Sequence, residues 1–325
     1  MRYRIEPYEP RHFGPALELM TKTRRRRRQA CPALPPGLDD ASTSRRILEG
    51  GISGSVAVTP KGGVAGFLFA ERIEDPLWGN SVIAGVDRCT LPPGAGTAAL
   101  AGLYAASFAP KTTAAPVHKV YCPAYDGAML RNWFGLGFGM EQVYAWSPLA
   151  EMERDFATEG MAIRRAKKGD EDTLAGLSPL IALSQAEAPV WAGAPPTYLA
   201  GLREDFRELA ADKRGYALLA FRGRKALGYQ AWLPVAANPI DGPAEGAIEL
   251  SVAGTVPDER GTGVGRALTS RGVVEALSRG YSVCFTDWRS ANFLSSSFWT
   301  ARGFRPYLYR LARRFDPAAV PTFHA

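Results

Sequence analysis

The chain has 325 residues, 46% hydrophobic and 22% charged, close to the averages of soluble globular proteins and long enough for two ordinary domains. No apolar run approaches the ~20 residues needed to span a bilayer, and the opening MRYRIEPYEP lacks the apolar core of a secretory signal, so a cytoplasmic protein without a membrane partner is expected. The net charge of +7 suits an anionic ligand, but without a nucleic-acid motif it does not argue for DNA or RNA.

The first predicted elements lie in YRIEPYEPRHFGPALELM, a short extended segment followed by a helical pattern. Next comes TKTRRRRRQACPALPPG, with arginine at every position from Arg24 to Arg28 before a proline-rich passage. Like-charge runs are expected to be solvated surface; the sharper reading is an anion-binding edge for nucleic acid, an acidic partner or an acidic substrate, the first of these without a supporting motif. Farther on, DGAMLRNWFGLGFGMEQVYAW predicts a helix and a strand. From Met161, MAIRRAKKGDEDTLAGLSPLIA repeats the opening pattern of strand, turn and helix. Near the end, NFLSSSFWTARGFRPYLYRL parallels the earlier DGAML segment: Trp133 and Trp299 each stand four residues before a glycine, Gly137 and Gly303. Asp126 and Asn292 each stand eleven residues before the same glycines. Similarity at both ends at nearly constant separation indicates a tandem duplication. The domains are expected at 1–150 and 160–325, with the boundary in SPLAEMERDFATEG.

In the second half, MAIRRA reads as a strand, DEDTLAGLSPLIALSQ as one helix and PTYLAGLREDFRELAAD as another. YALLAFRG, KALGYQAWLPVA and AIELSVAGTV read as three strands, the last with Ile248, Leu250 and Val252 on one face and Glu249 and Ser251 on the other. Gly254 marks a bulge or a close backbone approach. A glycine-rich turn, a helix from about Gly265 to Arg279, the strand YSVCFTD, a helix from about Asn292 to Ala301 and the strand PYLYRLARRF complete an α+β unit built on a mixed sheet.

Cys31, Cys89, Cys122 and Cys284 form no CxxC pair, and His12, His118 and His324 are scattered, so no metal site is expected. The glycine turn, VPDERGTGVGRAL, carries more information. Glycines at a helix start bring free amides and the helix dipole close to an anion. The turn has no Gly-Lys-Ser/Thr for a P-loop, and GTGVGR ends in arginine where a dinucleotide fingerprint needs its third glycine. A turn that only caps a helix is the plain alternative.

Arg260, Gly263 and Gly265 form the pattern Arg, two residues, Gly, one residue, Gly, and FWTARGFRP follows at a suitable distance. Together they resemble the acyl-CoA-binding segment and the closing Tyr-x-x-x-Gly-Phe segment of the GNAT superfamily of N-acetyltransferases. The resemblance covers residues 162–315 well and the first half in outline, implying two tandem GNAT domains. It implies acetyl-CoA as cofactor, with its pyrophosphate held by the amides of Gly261, Thr262, Gly263, Val264, Gly265 and Arg266. Pantetheine would pair with Val252, Gly254, Thr255 and Val256, and Asn292 would reach the pantetheine or phosphate region unless it caps the helix.

The resemblance also implies a carboxylate base that acts on the attacking amine. Glu249 is the first candidate, by its strand face, and Asp287 the second; a rim salt bridge and a turn-capping contact with Arg289 are their respective rivals. Trp299 stands where the family often has an acidic tyrosine, and an indole N–H cannot serve as that acid. Ser295, Ser296 or water is expected to deliver the proton. Trp191, Tyr198, Trp232, Trp288 and Tyr307 are candidates for the acceptor pocket.

The corresponding turn of the first half, VDRCTLPPGAGTAAL, loses amide donors at Pro92 and Pro93 and lacks the Arg or Gln before Gly94 and Gly96, so that half is expected to be degenerate. The function expected is acetyl transfer to a primary amine of a small molecule without a covalent enzyme intermediate. The alternatives are a protein or peptide N-acetyltransferase and a non-catalytic acyl-CoA sensor or adaptor. The sequence carries no sign of oligomeric state.

Overall fold

The computed structural model describes residues 3–34, 38, 40–75, 79–91, 95–112, 115–156, 160–212, 214–235 and 246–316. They divide into two compact units, one holding the residues up to Val143 and those from Tyr307, the other running from Tyr144 to Pro306. Both units mix helices with a sheet, as the α+β reading expects.

In chain order, the first unit starts with β1 (Arg4–Pro7), α1 (Phe13–Ala30), α2 (Ala41–Glu49), β2 (Gly54–Val58), β3 (Val64–Phe69) and β4 (Glu71–Ile73). There follow β5 (Ser81–Ala84), β6 (Cys89–Thr90), α3 (Gly96–Phe108), β7 (Val117–Pro123), α4 (Gly127–Gly135) and β8 (Gly139–Pro148), whose last residues pass into the second unit. Strands β1, β2, β3 and β6 form one sheet; β5 pairs parallel with β7 in another. Between β5 and β6 the chain turns through Asp87, whose φ of 62° is uncommon outside glycine.

The arginine run departs in part from the expectation of a solvated surface. It lies on α1, where helical spacing turns Arg24 and Arg27 inward, to 0% and 1% exposure. Both guanidiniums donate to one buried carboxylate oxygen, Asp87 Oδ2, at 3.2 Å from Arg24 and 2.5 Å from Arg27. Arg24 Nε also donates to the Leu38 carbonyl at 2.5 Å. Arg25 and Arg26 face solvent. The run is thus partly a core electrostatic anchor. Pro92, Pro93 and Gly94 of the first-half turn, the end of the boundary stretch (157–159) and His324 lie outside the described residues.

The second unit contains β9 (Ala162–Arg165), α5 (Glu171–Leu177), α6 (Pro179–Ala186), α7 (Pro196–Glu208), β10 (Tyr216–Arg222) and β11 (Lys225–Pro234). It continues with β12 (Ala247–Thr255), α8 (Val264–Ser278), β13 (Val283–Arg289) and α9 (Phe293–Thr300). The helix expected over DEDTLAGLSPLIALSQ is two helices, because Pro179 supplies no N–H and α5 ends at Leu177 with Ser178 as its cap. The last strand, β14 (Arg305–Arg314), pairs antiparallel with β7 from Leu308 opposite Pro123 to Arg314 opposite Val117, and so serves the first unit.

Helix α8 is seated on β10 and β11 through one glycine. An added Cβ at Gly272 would stand 2.3 Å from Trp232 Cζ2, and Trp232 is wholly buried and stacked on Tyr216. Tyr216 Oη donates to the Gly272 carbonyl at 2.8 Å, Trp232 Nε1 to Gln230 Oε1 at 3.2 Å, and Gln230 Nε2 to Thr269 Oγ1 at 2.8 Å. Trp232 is therefore core under α8 and does not wall a pocket, unlike the sequence expectation. The cluster of Leu174, Leu177, Leu202, Phe206, Leu219 and Tyr229 closes the opposite face under α5 and α7.

Three variants test this packing by their stability. Gly272→Ala should destabilise the fold by about 1–3 kcal/mol through overpacking, despite alanine's better helix propensity. Gly201→Ala in α7, where a Cβ meets nothing within 4 Å, should stabilise it by about 0.5–1 kcal/mol. Denaturant melts that show the same sign for both would refute the packing account. Asp87→Ala leaves two buried guanidiniums without their carboxylate and should cost about 3–5 kcal/mol; an unchanged denaturation midpoint would contradict that anchor.

Candidate functional site

The site begins where a strand pair stops pairing. Strands β12 and β13 are parallel neighbours only from Ala247 opposite Val283 to Glu249 opposite Phe285. One further link follows, Thr286 Oγ1 donating to the Leu250 carbonyl at 2.9 Å. Beyond it the strands line a groove of about 670 Å³, with Ser251 to Thr255 on one wall and Asp287 to Arg289 on the other. On its far side β12 stays paired with β11 as far as Thr255 opposite Gly228, with an irregularity at Ala231/Trp232. The register thus leaves the groove-side edge of β12 without a β13 partner past Glu249, an edge of the kind an extended ligand can pair with.

The glycine turn lines the same groove. A single 3-10 turn, Pro257–Glu259, leads into it. Glu259 fastens that turn to the β10–β11 hairpin, accepting from Arg222 at 2.8 Å and Lys225 at 3.4 Å. Gly261 and Gly263 have φ of 79° and 92°, a left-handed backbone that favours glycine. Gly263 is the N-cap of α8, so its turn aims the first amides of that helix at the groove. A Cβ on Gly261 would meet open space. One on Gly263 would approach Phe156 Cζ at 3.1 Å, and one on Gly265 would approach Phe298 Cζ at 3.1 Å. Two aromatic rings therefore border the cradle on either side.

Arg260, Gly261, Thr262, Gly263, Val264, Gly265 and Arg266 all line the groove, as do Val252, Gly254, Thr255 and Asn292; Val256 does not. Arg266 is already engaged. Its Nε donates to Glu153 Oε2 at 2.6 Å, its Nη2 to Glu153 Oε1, and its guanidinium lies over the Phe156 ring at 4.4 Å. The close approach expected at Gly254 is made by a side chain of the fold: a Cβ there would stand 2.6 Å from Tyr229 Cε1.

Of the catalytic candidates, Asp287 and Ser295 line the groove and Glu249 does not. Glu249 lies just behind, where the β12–β13 pairing ends, and burial, reinforced by the negative charge of Asp287, raises its carboxyl above the ordinary range. Asn292 caps α9, its Oδ1 accepting from the Ser295 N–H at 3.0 Å, while also lining the groove, so both of its readings coincide. Trp299 is 6% exposed and packs edge-on against Phe298 and Phe304. Of the five aromatic residues proposed for an acceptor pocket, Trp288 lines the groove, whereas Trp191 is 76% exposed in the loop after α6.

Several lining residues escaped the sequence reading. Leu180, Ile181, Ser184 and Gln185 reach the groove from α6, and Phe156, Tyr229, Phe298 and Arg302 complete its walls. Tyr229 Oη and Trp288 Nε1 are buried there without a hydrogen-bond partner. No cluster of His, Cys, Asp or Glu able to hold a metal occurs among the described residues, and none of their helices is long and apolar enough to cross a membrane.

No family model matches the chain. It is 31% identical over 179 residues to a mycothiol acetyltransferase of Thermobispora bispora, a match that takes in 52% of this chain and 56% of that protein, so the chain spans about half the length of the curated relative it matches. Among solved structures, a tandem GNAT protein from the clavulanic acid biosynthesis pathway superposes over 99% of this chain and 100% of its own, with a TM-score of 0.50 and 13% identity. A GCN5-related N-acetyltransferase from Sphaerobacter thermophilus superposes over 96% of this chain and 95% of its own, with a TM-score of 0.54 and 16% identity. By the course of its chain and the splayed strands of its second unit, this is a protein of the tandem GNAT fold.

Proposed function

We propose that the chain is an acetyl-CoA-dependent N-acetyltransferase acting on a primary amine of a small molecule by direct transfer. The observation that carries the reading is the splay of β12 from β13, open along one strand edge and ended by a left-handed glycine turn at the start of α8. The residues present fit the cofactor: the open edge suits an amide-bearing arm, and the amides and dipole at the start of α8 suit a pyrophosphate. The name of the Thermobispora relative, a mycothiol acetyltransferase, supports acetyl as the group transferred. A cytoplasmic location agrees with this reading. We assign catalysis and binding to residues 160–325 and a non-catalytic, GNAT-like role to residues 1–150, where Arg24 and Arg27 bond Asp87 in the turn between β5 and β6.

When bound, acetyl-CoA supplies an activated thioester. Glu249, behind the groove wall and acting through water, or Asp287 in that wall accepts the one proton that the amine loses as it attacks. The amide edge of β12 past Glu249 supplies hydrogen bonds to the oxygen that becomes negative. As the carbon–sulfur bond breaks, Ser295 or water returns a proton to the thiolate, whose pKa near 8.5 makes it a tolerable leaving group unaided. The buried packing of Trp299 favours one further reading, a sensor that binds acyl-CoA without turnover.

Calorimetric titration of acetyl-CoA into the full chain tests the reading. Gly265→Val, which drives a side chain against the Phe298 ring bordering the cradle and so displaces its wall, should weaken binding at least about tenfold, the scale of a lost charge-assisted hydrogen bond, in a variant shown to remain folded. Absence of binding by the unmodified chain would sink it, and binding without thiol release on any amine would select the sensor.

Glu249 yields a separate test with opposite signs. A buried carboxyl of raised pKa destabilises the fold when ionised, so the penalty is full above that pKa and absent below the ordinary carboxylate range. Glu249→Gln should therefore raise the melting temperature at pH 8, with the gain disappearing towards pH 4, while slowing acetyl transfer and removing the acid limb of its pH profile. A variant less stable than the parent at pH 8 would contradict this placement.

A further inference from the structure

Resting on the acetyl-CoA reading, we infer that Arg302 is the guanidinium this chain presents to a phosphate of the acyl carrier. Arg266 follows the glycine turn, and its amide is among those that the sequence resemblance places at the pyrophosphate, which makes its guanidinium the rival for that task. In the structure Arg266 is held by two bonds to Glu153 and stacked on Phe156, so its charge is already balanced.

Arg302 is differently placed. It stands in the turn after α9, immediately before Gly303, and lines the same groove. Its guanidinium lies over the Phe298 ring at 4.1 Å, and that ring is the one against Gly265 at the start of α8. The stack therefore fixes a cation beside the amides that face an anion. Nη1 donates to the Phe298 carbonyl at 3.1 Å, and Nε is buried without a partner. No carboxylate lies within ion-pair distance of it among the described residues. Burial and the neighbouring Arg266 disfavour its charge, and the Glu153 carboxylate beside Arg266 offsets this only in part, so a bound anion would relieve an existing cost. An arginine so stacked keeps its remaining donors in one plane, the geometry that suits two phosphate oxygens at once.

CoA and 3′-dephospho-CoA titrated into the full chain, and into Arg302→Gln and Arg302→Lys, decide the matter. Arg302→Gln should bind CoA about tenfold more weakly, as for a lost charge-assisted hydrogen bond. Its Kd should also depend less on salt, because one charge is gone. Arg302→Lys should recover the salt dependence and part of the affinity. A loss with both ligands supports contact with the pyrophosphate, and a loss confined to CoA supports contact with the 3′-phosphate. Weaker binding with an unchanged salt dependence would make Arg302 a structural prop and overturn the assignment. Unchanged affinity in Arg302→Gln overturns it too, leaving the acetyl-CoA reading intact, whereas an unmodified chain that binds neither ligand overturns both.

Discussion

Everything at the site depends on the short reach of the hydrogen bonding between β12 and β13. Parallel neighbours that paired over their full lengths would bury their shared edge and leave no groove. Pairing ends at Glu249 and Phe285, so the strands diverge while the rest of the sheet holds them. The divergence is supported from below. Gln230 and Trp232 tie β11 to α8, and Gly272 lets that helix come close enough to fix the glycine turn at the open end. A flexible turn thus becomes a positioned one: Glu259 pins its approach, and α8 fixes its exit.

The elements that local chemistry dictates were legible in the sequence. Alternation gave β12, helical periodicity gave α7 and α8, and glycines at positions 261 and 263 marked a turn whose φ values need them. The break at Pro179 carried its own local signal, but the apolar period running across it reads as one helix. Gly254 announced a close approach without saying to what, since Tyr229 reaches it from the neighbouring strand.

Contacts made over long separations were not legible. Arg24 and Arg27 meet a carboxylate 63 and 60 residues away, and no local pattern distinguishes them from the solvated Arg25 and Arg26 beyond helical phase. Arg266 and Glu153 are 113 residues apart, so the engagement of the expected phosphate ligand was invisible. Phe156, in the stretch read as a polar boundary, became part of the cradle for the same reason. Sequence pattern describes the backbone of this site well, whereas its charges are set by partners that only the fold brings near.

The pairing of β14 with β7 has a consequence for how the protein is made. The ribosome delivers β7 early, yet the strand that satisfies its edge emerges only after the whole of the second unit. Until then β7 presents unpaired amides and carbonyls, the kind of edge that recruits other chains. Vectorial synthesis therefore cannot finish one unit before starting the next, and a nascent chain cut between them would carry an open seam.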